Sequence, residues 1–66
     1  MQVGDLVEMT RARIGIPANT VGVVLGIDQG DVRFDLEYFE VQLFGLGSRH
    51  QLNIRRFLSQ DLKVLA

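Results

Sequence analysis

Few residues of this chain could perform covalent chemistry. The sequence holds one histidine, His50, and no cysteine, so the usual zinc ligand sets are absent. Ser48 lies two residues before His50, but neighbours in an extended hairpin lack the geometry of a nucleophile and its base, and no third group orients them. Gly45 and Gly47 lack the third glycine of a dinucleotide fingerprint. We therefore predict no catalytic residue and no cofactor.

An acidic run occupies the middle of the chain. Its carboxylates could bind a cation, but such a run is more often a solvated hairpin, so no metal site is predicted. The members are Asp28, Asp31, Asp35, Glu37 and Glu40.

Basic residues concentrate in the last third of the chain. This separation from the acidic run predicts an electrically two-sided molecule, which would orient an encounter with a charged partner. The alternative is that these charges only keep a small domain soluble. The cluster comprises Arg49, His50, Arg55, Arg56 and Lys63.

Two aromatic residues fall on a polar strand face. Tyr38 and Phe44 alternate in phase with Glu40 and Gln42. They could cover a neighbouring strand of the same sheet, or they could form part of a protein interface, where aromatic residues are enriched.

Composition narrows the class of protein. The 66 residues predict one domain, and 7 basic against 8 acidic residues argue against a bulk electrostatic grip on nucleic acid or an anionic membrane. No apolar run has the length of a membrane span and no signal peptide is evident, so we expect a cytoplasmic protein that does not bind membranes. A hydrophobic content of 47% leaves apolar surface over for a partner, and a homo-oligomer is a further expectation.

A central strand is predicted over residues 20–28. Val21, Val23, Leu25 and Ile27 fall on one face, which we predict to be the core face. Gly22 and Gly26 suggest a bend or bulge that lets the sheet curl.

The first half of the chain adds a strand and a long loop. Val7 and Met9 predict a half-buried strand over residues 6–10, and glycine and proline predict a loop over residues 11–19. Ile14 and Ile16 either tuck back over an open end of the sheet or belong to a surface excursion. A turn is expected at residues 28–31.

The second half predicts three more strands. Apolar alternation over residues 32–36 and 39–43 slips by one position, which requires a bulge, bend or turn near Glu37 and Tyr38. A hairpin connection over residues 44–48 leads to a strand over residues 51–55. Bunched apolar residues predict one 3₁₀ turn within residues 56–62, with Phe57 and Leu58 as plugs, before a last strand at 62–65.

These elements predict an all-β fold, a small five-stranded antiparallel barrel that spans residues 1–66 as a single domain, and their order resembles the SH3-like barrel. Three segments carry the resemblance in order: Gly4-Asp5-Leu6-Val7, Val21-Gly22-Val23-Val24, and Phe57-x-x-x-Asp61-Leu62-x-Val64. The chain resembles the small barrels that include KOW-type ribosomal and transcription modules and the barrel of photosystem I that docks ferredoxin. Such motifs specify a fold and leave function open.

The resemblance implies three different activities. Similarity to the photosystem barrel implies that Arg11, Arg13, Arg55 and Arg56 meet an acidic protein, whereas similarity to KOW modules implies that Arg11 and Arg13 meet RNA. Trimethoprim-resistant dihydrofolate reductases are also small SH3-like barrels. Their Val-Gln-Ile-Tyr run is not matched by residues 41–44, which lie one strand too early and lack the tyrosine.

The predicted function is a non-catalytic module that binds a protein partner, with self-association as one route. A KOW-like RNA-binding module is the alternative, and an oligomeric reductase ranks third. The candidate binding residues are Arg11, Arg13, Tyr38, Phe44, Arg49, Arg55 and Arg56.

Overall fold

The computed structural model describes residues 1–29, 37–45 and 53–65, and it is all-β. A 3₁₀ turn, Ser59–Asp61, precedes the last strand, as the sequence predicts. The strands are β1 (Leu6–Met9), β2 (Val21–Gln29), β3 (Glu37–Leu43), β4 (Ile54–Leu58) and β5 (Leu62–Val64).

The strands form one antiparallel sheet in the order β4-β3-β2-β1-β5. Among the described residues the sheet is not closed into a barrel, so β4 and β5 are its two edges. A long connection, residues 10–20, joins β1 to β2 as predicted, and the 3₁₀ turn joins the two edge strands. No helix among the described residues is long and apolar enough to span a membrane.

One face of the sheet supplies the core. Directly opposed residues in antiparallel strands share a face, and the register places Val7, Gly22 and Leu43 in one row and Val24 opposite Val41. The buried apolar residues form a single cluster of Val7, Met9, Ile16, Val24, Phe39, Val41, Leu43, Phe57 and Leu62.

The predicted core face of the central strand is wrong. Val24 is buried, whereas Val21 and Val23 are half-buried and Leu25 and Ile27 are exposed. Gly22 lies on the core face of this strand. A β-carbon at this position would lie only 2.6 Å from Cγ1 of the buried Val41. Periodicity assigns the valines inward because a glycine carries no hydrophobic signal of its own.

The bend in β2 is where the glycines predict it. The pairing with β3 shifts register between Val24 and Gly26, so Leu25 is an extra residue in the ladder. Such a bulge increases the local twist of the strand. The extra residue also reverses which alternate side chains of β2 point to the core on the two sides of Leu25. No single period of two therefore describes residues 20–28.

One other prediction needs correction. Phe57 and Leu58 belong to β4 and not to the 3₁₀ turn, although Phe57 is buried as expected. The two alternatives for the loop isoleucines each hold for one residue, because Ile16 packs into the core and Ile14 is 97% exposed. The strand predicted over residues 32–36, most of the turns at 28–31 and 44–48, and the start of the fourth strand lie outside the described residues.

We predict that the two strand glycines respond differently to alanine. Gly22→Ala should lower the free energy of unfolding by about 1–3 kcal/mol, because the new methyl group meets the Gln42 carbonyl oxygen as well as Val41. Gly26→Ala is the matched control. Its β-carbon would have only Glu40 Oε2 nearby, at 3.7 Å, so stability should hold or rise by about 0.5 kcal/mol. Urea unfolding of both variants measures this, and equal destabilisation would contradict it.

Candidate functional site

A buried carboxylate ties the long β1–β2 connection to the 3₁₀ turn. Asp61 is only 1% exposed, and each of its oxygens accepts a hydrogen bond from a different arginine. Arg11 Nε lies 3.0 Å from Oδ1, and Arg13 Nη2 donates to Oδ2. Both guanidiniums keep an outer side in solvent, so the ion triad is buried at its acidic centre and exposed at its basic rim.

The two arginines hold Asp61 in its charged form. Burial alone would raise the pKa of this carboxyl, because a low-dielectric interior disfavours the ionised state. The hydrogen bonds from Arg13 and Arg11, together with their positive charges, outweigh burial, and the pKa of Asp61 lies below its ordinary value. The carboxylate is therefore a stable anchor and a poor proton acceptor.

Backbone contacts hold the connection over this carboxylate. The N–H of Thr10 donates to the Asp61 carbonyl at 3.0 Å, and its hydroxyl donates to the carbonyl of Gln60. Arg13 and Ile16 exchange two backbone hydrogen bonds around Gly15, whose positive φ of 75° suits glycine. This small turn buries Ile16 and leaves Ile14 at its tip.

A groove of about 460 Å³ opens beside this triad. The loop contributes Arg13, Ile14 and Ile16 to its wall, and β4 contributes residues 55–58. Tyr38 and the inner Asp61 complete the lining. We call this feature the β4 groove.

The β4 groove follows the edge of the sheet. Arg55 is opposite Val41 on the core side, whereas Arg56 is opposite Glu40 on the outer side. Both arginines line the groove, which therefore borders the edge of β4. Because successive residues of a strand point to opposite faces, the side chains of Arg55 and Arg56 lie on opposite sides of that edge.

The expected separation of positive and negative charge is not found at Arg56. Its Nη1 lies 3.3 Å from Asp28 Oδ2, and its Nε lies 3.7 Å from Glu40 Oε1. Strand pairing brings these residues together, because Glu40 is directly opposite Arg56 and Asp28 is opposite Tyr38 on the next strand. These pairs are solvent-exposed and worth less than about 1 kcal/mol each.

The structure gathers four of the seven candidate residues at the β4 groove: Arg13, Tyr38, Arg55 and Arg56. Arg11 is adjacent through its bond to Asp61. Phe44 is exposed but lies elsewhere, just after the end of β3, where its N–H bonds the carbonyl of Val21. Arg49 lies outside the described residues, as do Ser48 and His50.

A second surface crosses the outside of the sheet. The register aligns Ile54 with Gln42, Gln42 with Val23, and Val23 with Leu6. Leu65 extends this row, because its N–H bonds the Leu6 carbonyl at 2.9 Å. We call this row the outer stripe. Four of its five side chains are apolar, and Ile54, Leu6 and Leu65 are exposed.

One residue of the site is missing from the sequence-based expectation. Asp61 enters there only as a position of the family resemblance, although it is the partner of both loop arginines. The spacing of Arg11 and Arg13 is a usable signal, because alternate residues of an extended segment reach the same side. Their acid partner lies 48 to 50 residues away, a separation that no local pattern reveals.

Comparison of the chain with protein-family models, curated proteins and solved structures finds no match.

We predict that Asp61→Asn destabilises the fold through loss of the two charge-assisted bonds. The free energy of unfolding should fall by about 2 kcal/mol, since hydrogen bonds to charged groups contribute roughly 1.5–3 kcal/mol. For a domain of this size the melting temperature should drop by roughly 10 °C. Arg11→Gln is the control that retains the bond from Arg13, and it should cost less. An Asp61→Asn variant as stable as the wild type would contradict the anchor role.

The same triad predicts a specific acid sensitivity. Because the folded pKa of Asp61 is lowered, the unfolded chain binds this proton more readily than the folded chain. The contribution is complete above the unfolded pKa of about 3.9 and is lost as pH falls through the folded value. The stability gap between wild type and Asp61→Asn should therefore narrow below about pH 4. A constant gap from about pH 6 to about pH 2.5 would contradict a charged, shifted Asp61.

Proposed function

We propose that this chain is a non-catalytic interaction module that holds a protein partner in the β4 groove. The observation that carries the proposal is the convergence of Arg13, Tyr38, Arg55 and Arg56 on one concave surface. A site that combines arginine, tyrosine and apolar side chains has the composition of protein interaction hot spots. Ile14 lies exposed at the rim of the groove. Exposure of a large apolar side chain to water is unfavourable, and a partner that covers Ile14 would remove that exposure.

The chemistry of the groove supports binding over catalysis. Of its described lining, Asp61 is the only carboxylate, and it is held ionised by two guanidiniums. A general base must accept a proton near the working pH, which such a carboxylate does poorly. The remaining groups offer positive charge, one phenol and apolar contact. These groups recognise a partner without needing to react with it.

We also propose that the fold is an SH3-like barrel in an open form. Five antiparallel strands, a long first connection and one 3₁₀ turn before the last strand support this assignment. The bulge at Leu25 supplies curvature of the kind that closing such a sheet requires. Because barrels of this type serve many activities, the assignment constrains the scaffold and leaves the partner open.

RNA binding in the manner of KOW modules is the second candidate. It would assign Arg11 and Arg13 to phosphate contacts. In this structure both guanidiniums already bind Asp61, and the formal net charge of −1 provides no general attraction for a polyanion. The protein-binding proposal therefore ranks first.

Self-association is a separate proposal that rests on the outer stripe. The stripe extends to both sides of Val23 at its centre, with Leu6 and Leu65 on one side and Gln42 and Ile54 on the other. A two-fold axis that lies in the interface above Val23 and runs parallel to the strands would set Leu65 of one copy against Ile54 of the other. Such an isologous contact needs one patch that is complementary to itself, and the near symmetry of the stripe supplies it.

Photocrosslinking from the groove tests the first proposal. A photoreactive phenylalanine analogue at Arg55 should form an adduct with one protein in an extract of the source cells, whereas the same analogue at exposed Lys63 on β5 should not. The purified partner should then bind the wild type at least about tenfold more tightly than an Arg56→Glu variant, since like charges across an interface are repelled. Equal adducts from both positions would contradict the groove, and a nuclease-sensitive adduct would instead favour RNA.

Sedimentation equilibrium tests the outer stripe. The wild type should show a mass that rises with concentration, and Leu6→Lys should abolish the rise by placing a charge in an apolar contact. Ile14→Lys is the matched control, since it makes the same change of polarity at an exposed site away from the stripe. A wild type that stays monomeric up to about 1 mM, where only about 4 kcal/mol of association would be needed, would contradict self-association.

A further inference from the structure

The edge of β4 has free backbone hydrogen-bonding groups at the β4 groove. The N–H of Leu43 bonds the Asn53 carbonyl at 2.8 Å, which fixes the alternation of the β3–β4 ladder. In an antiparallel ladder, hydrogen-bonded and non-hydrogen-bonded pairs alternate. Arg55 and Phe57 therefore bond to β3, and Ile54, Arg56 and Leu58 point their N–H groups away from it. The carbonyls of Ile54 and Arg56 also point away, whereas the carbonyl of Leu58 begins the 3₁₀ turn as its N-cap.

Within the described residues, nothing pairs with this side of β4. The other edge, β5, offers less. It has three residues against five in β4, and the N–H of Leu62 already bonds the Ser59 carbonyl. The longer edge is also the one that the groove follows, so the exposed ladder and the cluster of arginines coincide.

The charges at this edge select the kind of strand that can pair with it. Two copies joined edge to edge through β4 would bring Arg55 and Arg56 of each copy together, and like charges on paired strands are destabilising. An incoming strand that carries carboxylates would instead be attracted to the two arginines. Arg56 can exchange its solvent-exposed partners Asp28 and Glu40 at little cost, because such pairs contribute little.

We propose that the β4 groove binds an extended acidic segment of a partner protein, which adds to the sheet as a sixth strand beside β4. The segment carries two adjacent carboxylates, and successive side chains of a strand point to opposite faces. One carboxylate reaches Arg55 on the core side and the other reaches Arg56 on the outer side. An apolar residue of the segment covers Ile14. This inference deepens the proposed function and rests on it.

In strand addition, the backbone and the side chains make different contributions to binding. Main-chain hydrogen bonds to Ile54, Arg56 and Leu58 supply affinity that is independent of sequence, and the two arginines supply selectivity. The loop is held in place by the ion triad, so the opposite wall of the groove is already ordered before binding. Ordering it in advance reduces the entropy lost on association.

Amide exchange with a defined peptide tests the proposal. The probe is an acetylated and amidated octapeptide with a central Glu-Glu pair flanked by valine and threonine, added to the ¹⁵N-labelled chain of 66 residues. At saturation, exchange at Ile54, Arg56 and Leu58 should slow at least about fivefold, which is the pattern of newly paired alternate residues. Exchange at Arg55 and Phe57, already bonded to β3, should change less.

Control peptides separate the contributions of backbone and charge. Methylation of alternate backbone nitrogens removes the donors of one strand edge and should weaken binding about tenfold or more when the methylated edge faces β4. Methylation of the other edge should have little effect. A Lys-Lys peptide should bind at least about tenfold more weakly than the Glu-Glu peptide. Equal binding of all these peptides would overturn the proposal.

Protein variants complete the test. Arg55→Glu should weaken binding of the Glu-Glu peptide about tenfold, and Arg55→Lys should retain most of the affinity because it retains the charge. Lys63→Glu on β5 is the matched charge-reversal control and should leave the affinity unchanged. Unchanged circular dichroism and melting would show that Arg55→Glu still folds.

The outcomes distinguish this inference from the proposed function. If the Glu-Glu peptide does not bind at about 1 mM, a threshold of only about 4 kcal/mol, but a protein still crosslinks at Arg55, the sixth strand is overturned and the interaction module stands. If the peptide binds and protects β4 residues without alternation, the acidic partner stands and the strand geometry falls. If neither the peptide nor any protein engages Arg55, both proposals are overturned.

Discussion

The ion triad of Asp61 with Arg11 and Arg13 is the constraint on which the long first connection depends. The connection runs from residue 10 to residue 20 and buries only one large side chain, Ile16. Apolar burial alone therefore does little to order it. A charge buried without partners would cost several kcal/mol, so folding of the 3₁₀ turn around Asp61 requires that both arginines arrive. The carboxylate and the loop thus order each other across 50 residues.

This coupling also builds the groove. One wall of the groove is β4, which pairs on one side only within the described sheet, and the opposite wall is the loop that Asp61 holds. Without the triad, Arg13 would lose its bond to Asp61, and only backbone hydrogen bonds and buried Ile16 would hold this part of the loop near β4. The same residues are therefore needed for the fold and for the candidate site. An Arg13 variant would therefore change the order of the loop as well as the lining of the groove.

The parts of the fold that local chemistry determines are readable from the sequence. Alternation places Val7 and Met9 inward, and bunched apolar residues locate the 3₁₀ turn to within a few positions. Local patterns fail where a long-range contact decides. Gly22 faces the core because Val41 of another strand fills the space beneath it, and Asp61 is buried because the loop supplies its partners. Residue type identifies the candidate arginines, whereas their grouping along one strand edge depends on the register of β4.

An open edge strand is a hazard that proteins usually blunt with charge, a bulge or a covering segment. In β4 the blunting charges are Arg55 and Arg56, which occupy both faces of one short strand. The same two charges that disfavour pairing with a second β4 favour pairing with an acidic strand. The same two arginines would therefore both prevent self-aggregation and select the proposed partner. The specificity that we propose for the groove rests on the topology that places β4 at an edge of the described sheet.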